Sequence, residues 1–266
     1  MNENISEKMK ALFGWEIPVE SVPIPSNGVL YDPDTPLFNK QMIQIKSMTA
    51  KEEDIITSNA YLKEGTMIRN LIQACVVDKS INVDDLISGD RDALLTSIRI
   101  VSYGSEYLVT HICKSCKNSN SLAVDLTSVG IKRLSIEPEE SGKNLFKYEL
   151  PKMKLPVLFR FLTGHDEHEQ RQRSKNEQKL GLASKESSEI TDYLSTCVVK
   201  VGENSKGSEI KFFVENMDAQ DSKSLRQYIA DNQPGLDMMH NYECDKCKRE
   251  ATVRLPFNEN FFWPNP

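Results

Sequence analysis

The sequence predicts an α+β protein: a small helical subdomain and antiparallel β-hairpins, tied together by two cysteine pairs that lie far apart in the chain. Three observations predict it. Two C-x2-C elements, Cys113-Lys114-Ser115-Cys116 and Cys244-Asp245-Lys246-Cys247, each sit between short strand-like runs. Helix start and stop signals crowd into residues 49–104. Alternating or apolar runs bounded by prolines recur after residue 127.

The cysteine pairs carry the most chemistry. Tyr107-Leu108-Val109 leads into the first and Leu122-Ala123-Val124 leads out; Tyr242 precedes the second, and Ala251-Thr252-Val253-Arg254-Leu255 follows it. A C-x2-C at a hairpin tip directs both sulfurs to one side, which is half of a tetrahedral four-thiolate site. Two such halves, at 105–126 and 239–258, make a zinc ribbon split by the 127 residues from 117 to 243. Cys113, Cys116, Cys244 and Cys247 are therefore the expected ligands of one structural zinc ion. Thiol–disulfide exchange is the competing chemistry, but that motif opens a helix after a strand, and neither pair is followed by a helical pattern. Cys75 and Cys197 lie in apolar stretches and read as small buried hydrophobes. No signal peptide is visible, and the best apolar run, Leu155 to Leu162, is broken by Arg160. A soluble protein made in a reducing compartment is expected, with no membrane partner.

The 266 residues suffice for one large domain or two modest ones. A hydrophobic fraction of 39% with 27% charged residues is ordinary for a globular protein. The net charge of −6 argues against a general nucleic-acid binder, because phosphate contacts need an excess of lysine and arginine. The knuckles do concentrate Lys114, Lys117, Lys246, Lys248 and Arg249. A zinc with four thiolates carries a net charge of about −2, so balancing that charge is their expected role.

Residues 1–14 fit a short amphipathic helix with Met9, Leu12 and Phe13 on one side. Pro18, Pro23, Pro25, Pro33 and Pro36 forbid helix and make residues up to 48 an extended arm ending in a strand, Gln41 to Met48. That arm either packs on a partner or wraps its own core. Pro25-Ser26-Asn27-Gly28 is a turn signal. Thr49-Ala50-Lys51-Glu52 is a capping box that opens a helix to about Leu62, ended by Gly65. Two more helices are expected, one from Thr66 with Ile68, Leu71, Ile72 and Cys75 inward, and one over Asp90–Ser102. Residues 127–238 read as an inserted α+β domain. It holds a hairpin of Phe146–Leu150 with Val157–Phe161 and a solvated helix over 166–183 too polar to bury a face. Ser187 to Leu194 is expected to continue as helix, a second hairpin to pair Cys197–Val201 with Glu209–Val214, and a last helix to run from Asp221 to Asp231. Residues 259–266 form an aromatic C-terminal tail, Phe261-Phe262-Trp263-Pro264, which either completes the core or docks on a partner.

No P-loop, dinucleotide fingerprint or G-x-S-x-G is present. His165-Asp166-Glu167-His168-Glu169 has its histidines three apart, whereas the zincin pattern needs them four apart, so these read as surface residues. His111 and His240 precede the cysteine pairs and are spare or supporting groups, since four thiolates saturate a structural zinc. A closed site leaves no position for substrate. A non-enzymatic protein without a small-molecule substrate is expected.

Several blocks taken together resemble a known family: Pro25-Ser26-Asn27-Gly28-Val29-Leu30-Tyr31, Met48-Thr49-Ala50-Lys51-Glu52-Glu53-Asp54-Ile55, Ser88-Gly89-Asp90-Arg91-Asp92-Ala93-Leu94-Leu95, Phe161-Leu162-Thr163-Gly164-His165-Asp166-Glu167, Asp221-Ser222-Lys223-Ser224-Leu225-Arg226 and Phe261-Phe262-Trp263-Pro264. In this order they resemble the baseplate hub or hub-assembly family of T4-like contractile-tailed phages, from about residue 22 to the end. The resemblance implies a late viral protein that acts through protein–protein contacts with other baseplate or tail-hub proteins, as a structural subunit or an assembly factor. It would reside in the host cytoplasm during infection or in the virion tail baseplate. One departure stands out: Lys117 and Lys248 occupy the places after the second cysteines where glycine best tolerates positive φ. The alternative function is a zinc-ribbon nucleic-acid-binding regulator of phage transcription or replication using the five knuckle cations. A hydrolase built on His165 and His168 is a third.

Overall fold

The computed structural model describes residues 5–179, 189–257 and 259–262. It is an α+β arrangement of small antiparallel sheets and helices. Helix α1 (Ile5–Phe13) precedes strands β1 (Val19–Pro23) and β2 (Met42–Lys46), which pair antiparallel with Val22 opposite Ile43. Ile43 and Ile45 alternate inward as their period of two requires. The proline-rich arm wraps this chain's own core: Val22, Ile24, Leu30, Tyr31 and Leu37 are all buried in it. Its turn puts Asn27 and Gly28 at φ 54 and 75. A Cβ on Gly28 would lie 2.3 Å from the Lys40 nitrogen, so only glycine fits there.

The helical region opens with α2 (Ala50–Thr57), held by the Thr49–Glu52 capping box. The single helix expected to Leu62 is two, because Ser58 breaks out to extended backbone and caps α3 (Asn59–Glu64). Gly65 ends α3 at φ 68. Helix α4 (Met67–Cys75) buries Leu71, Ile72 and Cys75. Helix α5 (Ser88–Tyr103) runs through the middle of the molecule with most of its circumference buried. Its Gly89 lets the Pro234 carbonyl approach to 1.8 Å from where a Cβ would stand.

Strands β3 (Glu106–Ile112) and β4 (Ser119–Asp125) form the first hairpin. After a 3-10 turn at Leu126–Ser128, β5 (Ile131–Lys132) is followed by β6 (Phe146–Glu149) and β7 (Pro156–Phe159), which pair as expected. Helix α6 (Gly164–Lys179) and α7 (Glu189–Cys197) follow; positions 180–188, which both polar-helix expectations overlap, lie outside the described residues. The α6 start is less solvated than its composition suggests. Asp166 is buried against Arg160 and Thr163, and Glu167 takes bonds from Ser88 and Arg91.

Strand β8 (Val198–Val201) completes a three-stranded sheet beside β7. The second strand expected there is instead helix α8 (Gly207–Glu215). Its inward residues are Ile210 and Val214, four apart, which is helical spacing hidden within a short apolar run. Helix α9 (Ala219–Asn232) leads to β9 (Gly235–Leu236), which pairs with β5 and brings residues 131 and 236 together. Strands β10 (Met239–Glu243) and β11 (Glu250–Arg254) form the second hairpin, and α10 (Glu259–Phe262) follows. Phe261 and Phe262 are buried in this chain's core, whereas Trp263 and Pro264 lie outside the described residues. One large apolar cluster runs from Val22 to Phe262, and a second, small one surrounds the cysteine pairs.

Candidate metal centre

Both knuckles are built by the same two backbone bonds. The Cys113 N–H donates to the Asn118 carbonyl (2.8 Å) and the Lys117 N–H donates back to the Cys113 carbonyl (2.9 Å). In the second knuckle Cys244 donates to Arg249 (3.0 Å) and Lys248 to Cys244 (2.9 Å). Each loop therefore closes by a left-handed residue four positions after its first cysteine: Lys117 at φ 59 and Lys248 at φ 56. The departure from glycine is real, and the lysines adopt the strained backbone regardless.

Folding brings the four sulfurs from the two hairpin tips within 4.8 Å of one another. Cys113 and Cys247 are 3.9 Å apart, and Cys116 and Cys244 are 3.6 Å apart. A disulfide requires about 2.0 Å, so none of these pairs is bonded. Four sulfurs at about 2.3 Å from a tetrahedral ion are separated by roughly 3.8 Å, which these distances bracket. The donor set fits one soft, tetrahedral metal ion. Backbone N–H groups aim at the sulfurs as well. Those of Cys116 and Ser115 lower the Cys113 pKa, and those of Cys247 and Lys246 help hold Cys244 at about 6. Cys247 accepts from the Arg249 N–H, but desolvation and the adjoining sulfurs outweigh that and raise it to about 11. Excess negative charge on four clustered thiolates is what a cation at their centre relieves.

The halves are also joined by protein groups that the sequence reading missed. Asn120 is 1% exposed; its side-chain carbonyl accepts from the Asp245 N–H across the interface (3.0 Å), and its amide donates to the Asn118 carbonyl (3.1 Å). Its position shares the inward face with Leu122 and Val124, so a polar residue at an inward register place was the available signal. His111 and Tyr242, each two residues before its cysteine pair, meet edge to face at 5.1 Å. Fully buried Arg99 donates to the carbonyls of Gly104, Glu106 and Phe261, joining the end of α5, the start of β3 and the C-terminal helix. The Tyr107 hydroxyl adds a bond to the Pro256 carbonyl (2.7 Å).

The histidines of the His165–Glu169 stretch, read as surface residues, lie on α6. His165 is exposed and bonds Asp85 (2.8 Å), while His168 is half-buried on the same helix. Among the described residues, the four cysteines are the group whose ligand atoms are close enough to hold a metal ion. All five knuckle cations are exposed; Lys248 pairs with Glu243 (3.3 Å), and Arg249 reaches Ser115. No helix among the described residues is long and apolar enough to cross a membrane.

A family model described as T4 bacteriophage base plate protein matches residues 33–263. The chain belongs to that family. The match spans both cysteine pairs, the central helix and the residues between the two cysteine hairpins. Base plate membership makes other base plate proteins its partners and the virion tail its place. No curated protein and no solved structure matches the chain.

Proposed function

We propose that this T4-type base plate protein is a non-enzymatic part of the tail baseplate hub, as a subunit or a factor in its assembly, and that Cys113, Cys116, Cys244 and Cys247 hold one structural zinc ion. The observation that carries the metal reading is the convergence of two identically built knuckles to a four-sulfur cluster of tetrahedral dimensions. A closed four-thiolate centre leaves no position for a substrate, which supports a stapling role. On this reading the ion closes the chain around residues 127–238, and its binding free energy adds directly to folding. The family match supports the baseplate role.

The test is sedimentation of tail intermediates from cells infected by the phage that encodes the chain, after nuclease treatment and at moderate salt. The full-length protein is expected to travel with hub or baseplate proteins. Its recovery only with nucleic acid, in a manner lost steeply as salt rises, would transfer the knuckle cations to the regulatory alternative.

A further inference from the structure

Each knuckle is closed by its own backbone bonds, yet each carries only one cysteine pair. The strength of the metal centre therefore depends on how firmly one knuckle is placed against the other. Their hairpins are separate two-stranded sheets with no backbone ladder between them. On one side they leave a cleft of about 270 Å³, with His111, Cys113, Ser115, Tyr242 and Arg249 among its walls. The exposed Arg249 guanidinium reaches the Ser115 hydroxyl at 3.4 Å, a long contact open to water.

Asn120 offers a firmer link. It stands on β4 opposite His111 and is buried. Its NH2 group donates to the Asn118 carbonyl, which also accepts the Cys113 N–H, so the side chain is tied to the loop of the first cysteine pair. Its oxygen accepts from the Asp245 N–H, the peptide that follows Cys244. The next two N–H groups of that loop, on Lys246 and Cys247, turn instead to the Cys244 sulfur. One carboxamide thus connects the two loops at the positions that carry their first cysteines.

We infer that Asn120 is the positioning residue of the metal centre, holding Cys244 and Cys247 in place against Cys113 and Cys116 so that four sulfurs meet the ion together. The inference rests on the four-thiolate reading above. Four clustered thiolates repel one another in the metal-free chain, and the Asn120 bond opposes their separation. Without it the second pair is presented at a lower effective concentration, and the ion is held less tightly. Groups that orient ligands without touching the metal typically change its affinity roughly 10–100-fold when removed.

The experiment titrates zinc into reduced, metal-free, full-length protein against a chromophoric chelator. The proteins compared are the wild type, Asn120→Ala, Asn120→Leu, which fills the space without the bond, and Cys75→Ala. Cys75 lies in the main core, so its variant controls for a general loss of stability. Both Asn120 variants should raise the zinc dissociation constant roughly tenfold or more, while Cys75→Ala stays within about twofold of the wild type. Cobalt substitution should give thiolate charge-transfer bands that saturate at higher cobalt in the Asn120 variants. Wild-type affinity in a folded Asn120 variant overturns the inference, and so does an equal loss in Cys75→Ala. If neither Asn120 variant folds in excess zinc while Cys75→Ala does, Asn120 serves the fold rather than the ion and the inference fails. Those outcomes leave the metal reading standing. A wild type that binds no zinc, or binds cobalt without thiolate charge-transfer bands, removes the metal reading and this inference with it.

Discussion

At the scale of single residues, the two lysines that close the knuckles show a cost accepted by the chain. A left-handed backbone costs a non-glycine residue roughly 1–2 kcal/mol, which exceeds the 0.5–1 kcal/mol that glycine loses in chain entropy. Lys117→Gly and Lys248→Gly should each stabilise the protein by about 0.5–1 kcal/mol in chemical denaturation, and destabilisation would mean that the lysine side chains contribute more than their backbone strain removes. Asp92 shows a different residue-scale effect. Burial, aided by the charge of Glu167, raises its pKa to about 6 against the pull of Arg91 and Arg254. A carboxyl raised in the folded state binds its proton there more tightly than in the unfolded chain. Its contribution is therefore favourable at low pH and is lost as pH rises from about 4 through 6. Asp92→Asn should raise the melting temperature at pH 7.5 and leave it nearly unchanged at pH 4; an equal gain at both would detach the effect from titration.

At the scale of elements, several of the sequence blocks that carry the family resemblance are joints between segments. Ser26 and Tyr31 of the arm both donate to Asp90 of α5, at 2.5 Å each from their hydroxyls. Arg91 and Ser88 of α5 hold Glu167 at the start of α6, and Asp221 of α9 accepts the backbone N–H groups of Lys152 and Met153. These contacts were not legible in the sequence, because a polar residue gives no sign of a partner 59 or more positions away. What was legible is local: the Thr49 capping box, the Gly65 stop, the alternation of Ile43 and Ile45, the hairpin at Phe146 and the strand flanks of both cysteine pairs. The error at Glu209–Val214 has the same origin. Six residues of mixed apolar character fit both periods, and packing of Ile210 and Val214 decided for helix. Arg99 is the joint with the largest expected effect. Arg99→Ala would leave three carbonyls without their donor, and should cost about 3 kcal/mol or more of stability in urea unfolding. A loss under about 1 kcal/mol would show that the end of α5 and the C-terminal helix are held by packing alone. Gly89→Ala should prevent folding at 37 °C, since the added carbon would stand 1.8 Å from the Pro234 carbonyl oxygen.

At the scale of the whole molecule, the two hairpins that carry the cysteines are separate two-stranded sheets, and an isolated hairpin is marginally stable in water. They share one small apolar cluster, the Asn120 bridge and the proposed ion. Cys113→Ser and Cys244→Ser should therefore abolish metal content and lower the melting temperature strongly. Cys75→Ala, in the main core, should cost stability while leaving the metal in place. The spacing of the two C-x2-C elements made the meeting of the four cysteines legible from sequence, whereas the left-handed lysines and the buried asparagine needed the fold. The most direct measurement is X-ray absorption at the zinc edge, with metal quantified per chain, on protein purified without chelator. The account predicts one zinc per chain with four sulfur neighbours at about 2.3 Å. Metal-free protein with full stability, or a shell containing nitrogen or oxygen, would contradict it.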